Sequence, residues 1–221
     1  ELLKVCSLCK KAEKPVSAHI RDDAAGVYDA AREMAEIGRK LKIQVEISHI
    51  GSMAGFGQMK DTLKMLDSYI LNGTNIGIDC YPYYAFSTEI GETTYDDGWL
   101  QRYDTDYSSI ELCNGEYKGM RCTEEIFKKL RKKVPSTITV CHVMKPEDVD
   151  TALTHPNVMI ATDGFFRNGQ GHPRAAGTFP HFIKNYVNTG KISLYDAIYK
   201  MSSLPALKFG IRNKGRLSKG A

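Results

Sequence analysis

No apolar run in the sequence approaches the roughly 18 residues that a membrane-spanning helix requires. There is also no internal repeat and no low-complexity tract, which sets aside solenoids and tethers. The N-terminus, Glu1-Leu2-Leu3-Lys4, shows neither an initiator Met nor a charged-then-apolar leader. No secretory signal is therefore expected, and the start reads as a cut end. Cys6-Ser-Leu-Cys9 has the spacing of a zinc or redox pair but lacks a second pair, and it falls within a helical pattern. The other four cysteines (Cys80, Cys113, Cys122, Cys141) are scattered, as free thiols of a reducing compartment are, which points to the cytoplasm.

Charge is also missing selectively. Residues 208–219 contain no acid beside Lys208, Arg212, Lys214, Arg216 and Lys219, whereas residues 89–116 hold Arg102 as their one cation among eight carboxylates. The acidic stretch has little apolar periodicity, so residues 84–122 are expected to form an insertion or lid. The basic tail and the run at 128–133 would make a phosphate-binding footprint if they converged, or solvated ends if they did not. With 221 residues and 42% hydrophobic side chains, the chain is neither disordered nor collagenous. It can bury a core without disulfide or metal staples.

Apolar β-rich runs alternate with helix-period stretches along nearly the whole chain. Strands are predicted at 15–20, 43–50, 75–80, 137–141 and 158–161. Helices are predicted at 27–41, 58–71, 123–133, 146–153 and 193–203, the last opening on the capped pattern Ser193-Leu-Tyr-Asp196. Such alternation implies parallel strands covered by helices, an α/β architecture in which ligands gather at the carboxyl ends of the strands. The polar residues there are His19, His49, Asp79, His142 and Asp163. One histidine alone would be structural, but three histidines and two aspartates at equivalent positions make the ligand chemistry of a divalent metal such as zinc.

Six segments then resemble the N-acyl-D-amino-acid deacylases (D-aminoacylases) of the amidohydrolase superfamily. They are Ser17-Ala-His-Ile-Arg-Asp22, Glu46-Ile-Ser-His-Ile50, Asp79-Cys-Tyr-Pro-Tyr83, Val158-Met-Ile-Ala-Thr-Asp-Gly164, His172-Pro-Arg-Ala-Ala-Gly-Thr-Phe-Pro180 and Lys200-Met-Ser-Ser-Leu-Pro-Ala206. They occur in the family's order and spacing. The resemblance implies a (β/α)₈ TIM-type barrel, of which this chain would form roughly the second half. It implies a site with one or two Zn²⁺ ions in the complete enzyme, with His19, His49 and Asp163 at metal positions and Asp163 also the catalytic acid/base. His142 has no ligand role in that scheme and is read as a structural histidine. The implied substrate is a small N-acyl-D-amino acid, hydrolysed to a D-amino acid and a carboxylate, with no nucleic-acid or membrane partner.

A free α-carboxylate calls for a planar cationic partner, for which Arg174 is the candidate, against a loop arginine paired with a surface acid. Tyr81 and Tyr83 would donate to the carbonyl oxygen as charge develops, or pack beside Pro82. Two departures bear on substrate choice: Gly51 stands where the family usually has Lys, and His181 where Arg is common. The family's first-strand His-x-His pair and its cysteine ligand have no counterpart here. The whole of residues 1–221 is therefore expected to be part of one catalytic domain, needing the remainder of its barrel, and to turn over little alone. The alternatives are a cyclic-amide hydrolase of the dihydroorotase or hydantoinase type, and a non-catalytic module binding phosphate or nucleic acid.

Overall fold

Short apolar runs become the strands of a parallel sheet buried on both faces, which is why they read as continuous rather than alternating. The structure, a computed structural model, describes residues 1–166 and 172–220. Strands β1 (Val16–Ala18), β2 (Val45–Ile47), β3 (Ile76–Cys80) and β7 (Val158–Ile160) pair side by side in that order, all parallel. The register sets Ala18 beside Ile47, Ile47 beside Ile78, and Cys80 beside Ile160. Strands β3 and β7 run two residues past the ends of β1 and β2, and because all four are parallel the loops leaving them open on the same side.

Between them run the helices that the 3.6-residue period predicts. The helix α1 (Leu2–Lys11) precedes β1, and α2 (Val27–Leu41) buries Val27, Ala31, Met34 and Ala35, ending on Lys42 in the left-handed region. Next come α3 (Ile50–Ala54) and α4 (Met59–Leu71) between β2 and β3. Beyond α5 (Trp99–Arg102), α6 (Glu124–Lys133) starts on Thr123, whose hydroxyl accepts the Ile126 N–H. Helix α7 (Pro146–Thr154) begins with proline and two acids, as a helix N-terminus favours. The last helices are α8 (Arg174–Phe182), α9 (Leu194–Ile198) and α10 (Leu204–Lys208), with π-helical stretches after α8 and α9. No helix among the described residues is long and apolar enough to cross a membrane.

The run at 137–141 departs from the expected parallel strand. It forms β6 (Ile138–Cys141), the middle of an antiparallel sheet between β4 (Phe86–Glu89) and β5 (Ile110–Leu112), not a strand of the parallel set. A buried run reads the same in either sheet, because periodicity does not report strand direction. His142 accordingly lies away from the parallel strand ends, exposed and 3.1 Å from Glu111. The acidic segment is more than a solvated loop. It supplies β4, β5 and the buried Tyr95, Trp99 and Tyr103, with Trp99 and Tyr95 packed on Phe127 of α6. The basic run on α6 answers this segment rather than the tail: Arg131 pairs with Asp96 at 2.6 Å and Lys129 with Glu116 at 3.2 Å.

Candidate active site

Because β1 and β2 are neighbours in register, the residues just past them are neighbours too. His19 Nδ1 stands 3.1 Å from His49 Nε2, with ring centroids 4.7 Å apart. His49 has φ 41° and ψ 51°, a left-handed conformation unfavourable for a side chain with a Cβ. Two sets of bonds hold it there. The Asp79 carboxylate at the end of β3 accepts the His49 backbone N–H at 2.7 Å, and Ser52 on α3 contacts both the His49 ring and its carbonyl. Strain fixed by its surroundings at a strand end is the pattern of a functional residue. Burial, then the His19 ring, lowers the His49 imidazole below its ordinary range, against the raising effect of Asp163.

Two nitrogens on one tetrahedral zinc, each at 2.0–2.1 Å, stand about 3.3 Å apart. The pair His19 Nδ1 and His49 Nε2 therefore fits two adjacent ligand positions. Among the described residues, no group of three or more histidine, cysteine or carboxylate side chains gathers closely enough to hold an ion alone.

Beneath His49 the sheet interior holds two carboxyls. Glu46 is 1% exposed and its carboxyl meets that of Asp79, a contact that becomes a hydrogen bond when Glu46 carries the proton; Gly77 on the adjoining strand makes room, since a Cβ there would fall 1.7 Å from Glu46 Oε2. Burial first, then Asp79, pushes Glu46 up to about 9, and burial pushes Asp79 up to about 6. Glu46 is thus protonated at neutral pH, while Asp79 is largely ionised and accepts from His49.

Asp163 lies just past β7, also at positive φ (44°), and is 3.1 Å from Arg174 Nη2. Arg174 is the first residue of α8 rather than part of a loop, and it is 2% exposed. The guanidinium stacks over Tyr81 at 4.4 Å, Nη2 also reaches the Ser87 carbonyl at 3.4 Å, and Nε and Nη1 are buried with no hydrogen-bond partner among the described residues. His172 secures the helix start: burial and then Arg174 hold its imidazole down at about 3, and the neutral Nδ1 accepts the Arg174 N–H at 3.0 Å.

A cavity of about 190 Å³ brings His19, His49, Asp163 and Arg174 together, with Ser52 and Met53 beside them. Its other wall comes from the antiparallel sheet and the chain after it: Phe86, Ser87, Thr88, Thr94 and Tyr103. Tyr81 and Tyr83 are not among the lining residues. Tyr81 is fully buried, its hydroxyl 3.9 Å from Met144 Sδ, and it serves as the surface on which Arg174 lies. Tyr83 packs against His172 and His181.

Nine lining residues are absent from the sequence-based candidates, among them the polar Asp23, Ser87 and Tyr103. The Tyr103 hydroxyl donates to Asp23 at 2.5 Å and Arg102 stands 3.3 Å from the same carboxylate, tying the acidic segment to the loop after β1. Asp23 carries a signal, its place four residues after His19. Ser87 and Tyr103 carry none, because a long-range strand pairing brings them to the cavity. The Ser87 hydroxyl is a further buried polar group with no hydrogen-bond partner among the described residues.

No family model matches the chain. Individual relatives do. It is 27% identical over 231 residues to a D-aminoacylase of Alcaligenes xylosoxydans xylosoxydans, covering 100% of this chain and 46% of that protein. It is likewise 27% identical over 234 residues to an N-acyl-D-aspartate deacylase of the same organism, covering 100% and 45%. Among solved structures, a D-aminoacylase said to define a novel subset of amidohydrolases superposes with a TM-score of 0.83 at 25% identity, over 99% of this chain and 47% of that one. An N-acyl-D-glutamate deacylase from Bordetella bronchiseptica, complexed with zinc and a phosphonate inhibitor, shares the fold with a TM-score of 0.85 at 24% identity, over 100% and 47%. The chain spans about half the length of the relatives it matches. The resemblance carried by the six segments therefore runs along the whole chain, in sequence and in fold.

Proposed function

We propose that this chain forms the metal-binding and substrate-anchoring part of a zinc-dependent N-acyl-D-amino-acid deacylase, hydrolysing a linear amide to a D-amino acid and a carboxylate. One observation carries the reading. His19 Nδ1 and His49 Nε2 converge at 3.1 Å in the same cavity as an acid, Asp163, and a buried cation, Arg174, at the C-terminal ends of parallel strands. The parallel sheet is read as an arc of a (β/α)₈ barrel, roughly its second half, with residues 84–122 as an insertion over the mouth. The remainder of the barrel and its further ligands complete the site.

His19 and His49 would hold the ion, one or two in the complete enzyme, with Asp163 at its edge. A divalent ion held there supplies Lewis acidity toward the scissile carbonyl and toward water. Asp163 is the group that takes the proton of the attacking water and returns it to the leaving nitrogen, a transfer an amide needs because its amine leaves poorly. Arg174, its Nη2 committed to Asp163, offers Nε and Nη1 near the partnerless Ser87 hydroxyl, which suits a free carboxylate. Tyr81 keeps the guanidinium in place by stacking. Free thiols at all six cysteines support a cytoplasmic setting.

The test is a hydrolysis panel run with added zinc on the full-length protein that completes the barrel: N-acetyl-D-amino acids, their L-isomers, dihydroorotate and hydantoins. Release of D-amino acids alone is expected. Turnover of only the cyclic amides would contradict the role given to Arg174.

A further inference from the structure

Ser52 has no chemical role in the reaction, yet its hydroxyl sits between two atoms of His49. Ser52 Oγ lies 3.0 Å from His49 Nδ1 and 3.0 Å from the His49 carbonyl oxygen, and the Tyr81 side chain, whose hydroxyl can itself donate to Oγ, interacts with it as well. A serine hydroxyl has one proton, and a carbonyl oxygen can only accept. When that proton goes to the carbonyl, the remaining contact needs a proton on Nδ1, and Nε2 keeps its lone pair. Nε2 is the atom that faces His19 Nδ1. The opposite arrangement, with the hydroxyl donating to Nδ1, puts the ring proton on Nε2 and aims it where a cation would sit.

The local chain favours the first arrangement. Ser52 lies three residues after His49 at the start of α3, and its backbone N–H also donates to the His49 carbonyl at 3.0 Å. Oγ is therefore held over the carbonyl by the helical turn itself. Asp79 fixes the backbone of the same residue from the other side, so the ring has one place to point. Hydrogen bonding at one imidazole nitrogen decides which nitrogen is left to ligate.

We infer that Ser52 is a positioning residue: its hydroxyl accepts the Nδ1 proton of His49, donates to the His49 carbonyl, and keeps the tautomer whose Nε2 is free for a metal ion. Only the consequence for metal affinity rests on the proposed deacylase function. The tautomer itself exists with or without an ion.

The experiment is long-range ¹H–¹⁵N correlation on the metal-free protein labelled with ¹⁵N-histidine, together with zinc affinity by chelator competition. His49 is expected to show a protonated Nδ1 and an unprotonated Nε2. Ser52→Ala, its fold checked by the amide fingerprint, should lose that preference and bind zinc about 10- to 100-fold more weakly. Ser52→Thr should restore both. A native protein with the proton on Nε2 would overturn the inference, as would Ser52→Ala with native tautomer and native affinity. If the full-length protein bound no zinc, the proposed function would fall, while the tautomer spectrum would still decide the role of Ser52.

Discussion

The parallel and antiparallel sheets meet at one cavity and contribute different things to it. From the parallel sheet come the groups proposed to react: His19, His49 and Asp163 each lie just past one of its strands, and two of the three sit at positive φ. The antiparallel sheet and the chain after it supply a wall of Phe86, Ser87, Thr88, Thr94 and Tyr103, tied back through the Tyr103–Asp23 bond. The proposed reactive geometry is thus set by the parallel strands, while the shape of the pocket depends on a second unit, tied to the first through Asp23 and Arg174. Substitutions on the two sides should differ in size and kind.

The largest effect is expected at Asp163. In the full-length protein, Asp163→Asn keeps the shape but removes proton transfer, so kcat for an N-acetyl-D-amino acid should fall by about 10² to 10⁴ in steady-state assays. Arg174→Met comes next. Losing hydrogen bonds from a charged group should raise KM for linear substrates by roughly 10- to 100-fold, with a smaller change in kcat. An equal loss in both would mean that Arg174 acts in the reaction step and not in anchoring.

Glu46 sharpens the comparison from beneath the parallel sheet. It stays protonated in the folded chain up to about 9, against 4.5 as its ordinary value. Between those values the folded chain binds more protons than the unfolded one, so the stability this group contributes is complete below about 4.5 and is lost as pH rises toward 9. Near pH 7 the loss amounts to roughly 3 kcal/mol at most. Thermal unfolding of the native protein should show a midpoint falling across that window. Glu46→Gln should flatten the dependence and raise the midpoint at about pH 7.5. The smallest effect is expected at the tether: Tyr103→Phe should lower stability by about 1 kcal/mol in denaturant titrations and leave zinc affinity unchanged.

The contrast between the sheets is also a contrast in legibility. Val27–Leu41, Met59–Leu71 and Glu124–Lys133 are helices where the 3.6-residue period and the capping residues place them, and all four strands of the parallel sheet are legible as apolar runs. His19, His49 and Asp163 are legible because a residue just past a strand needs only local sequence to be located. Ser87 and Tyr103 are not, since their place depends on β4 pairing with β6 some fifty residues later, and a short run such as Ile138–Cys141 does not say which sheet it joins. The motif identifies Arg174 but not its setting. Buried at the start of α8 on the Tyr81 ring, it depends on packing that no spacing rule encodes. Tyr81 and Tyr83 show the same limit, since the motif that names them does not say which way their hydroxyls face.

The central claim is that His19 and His49 form a preformed half of a metal site. Bound metal measured by elemental analysis, on the native full-length protein with its complete barrel after zinc loading and gel filtration, beside the His19→Ala, His49→Ala double variant of the same full-length protein, tests it most directly. About one zinc per chain in the native protein and none in the variant is the predicted result. Equal zinc in both, or none in the native protein, would contradict it.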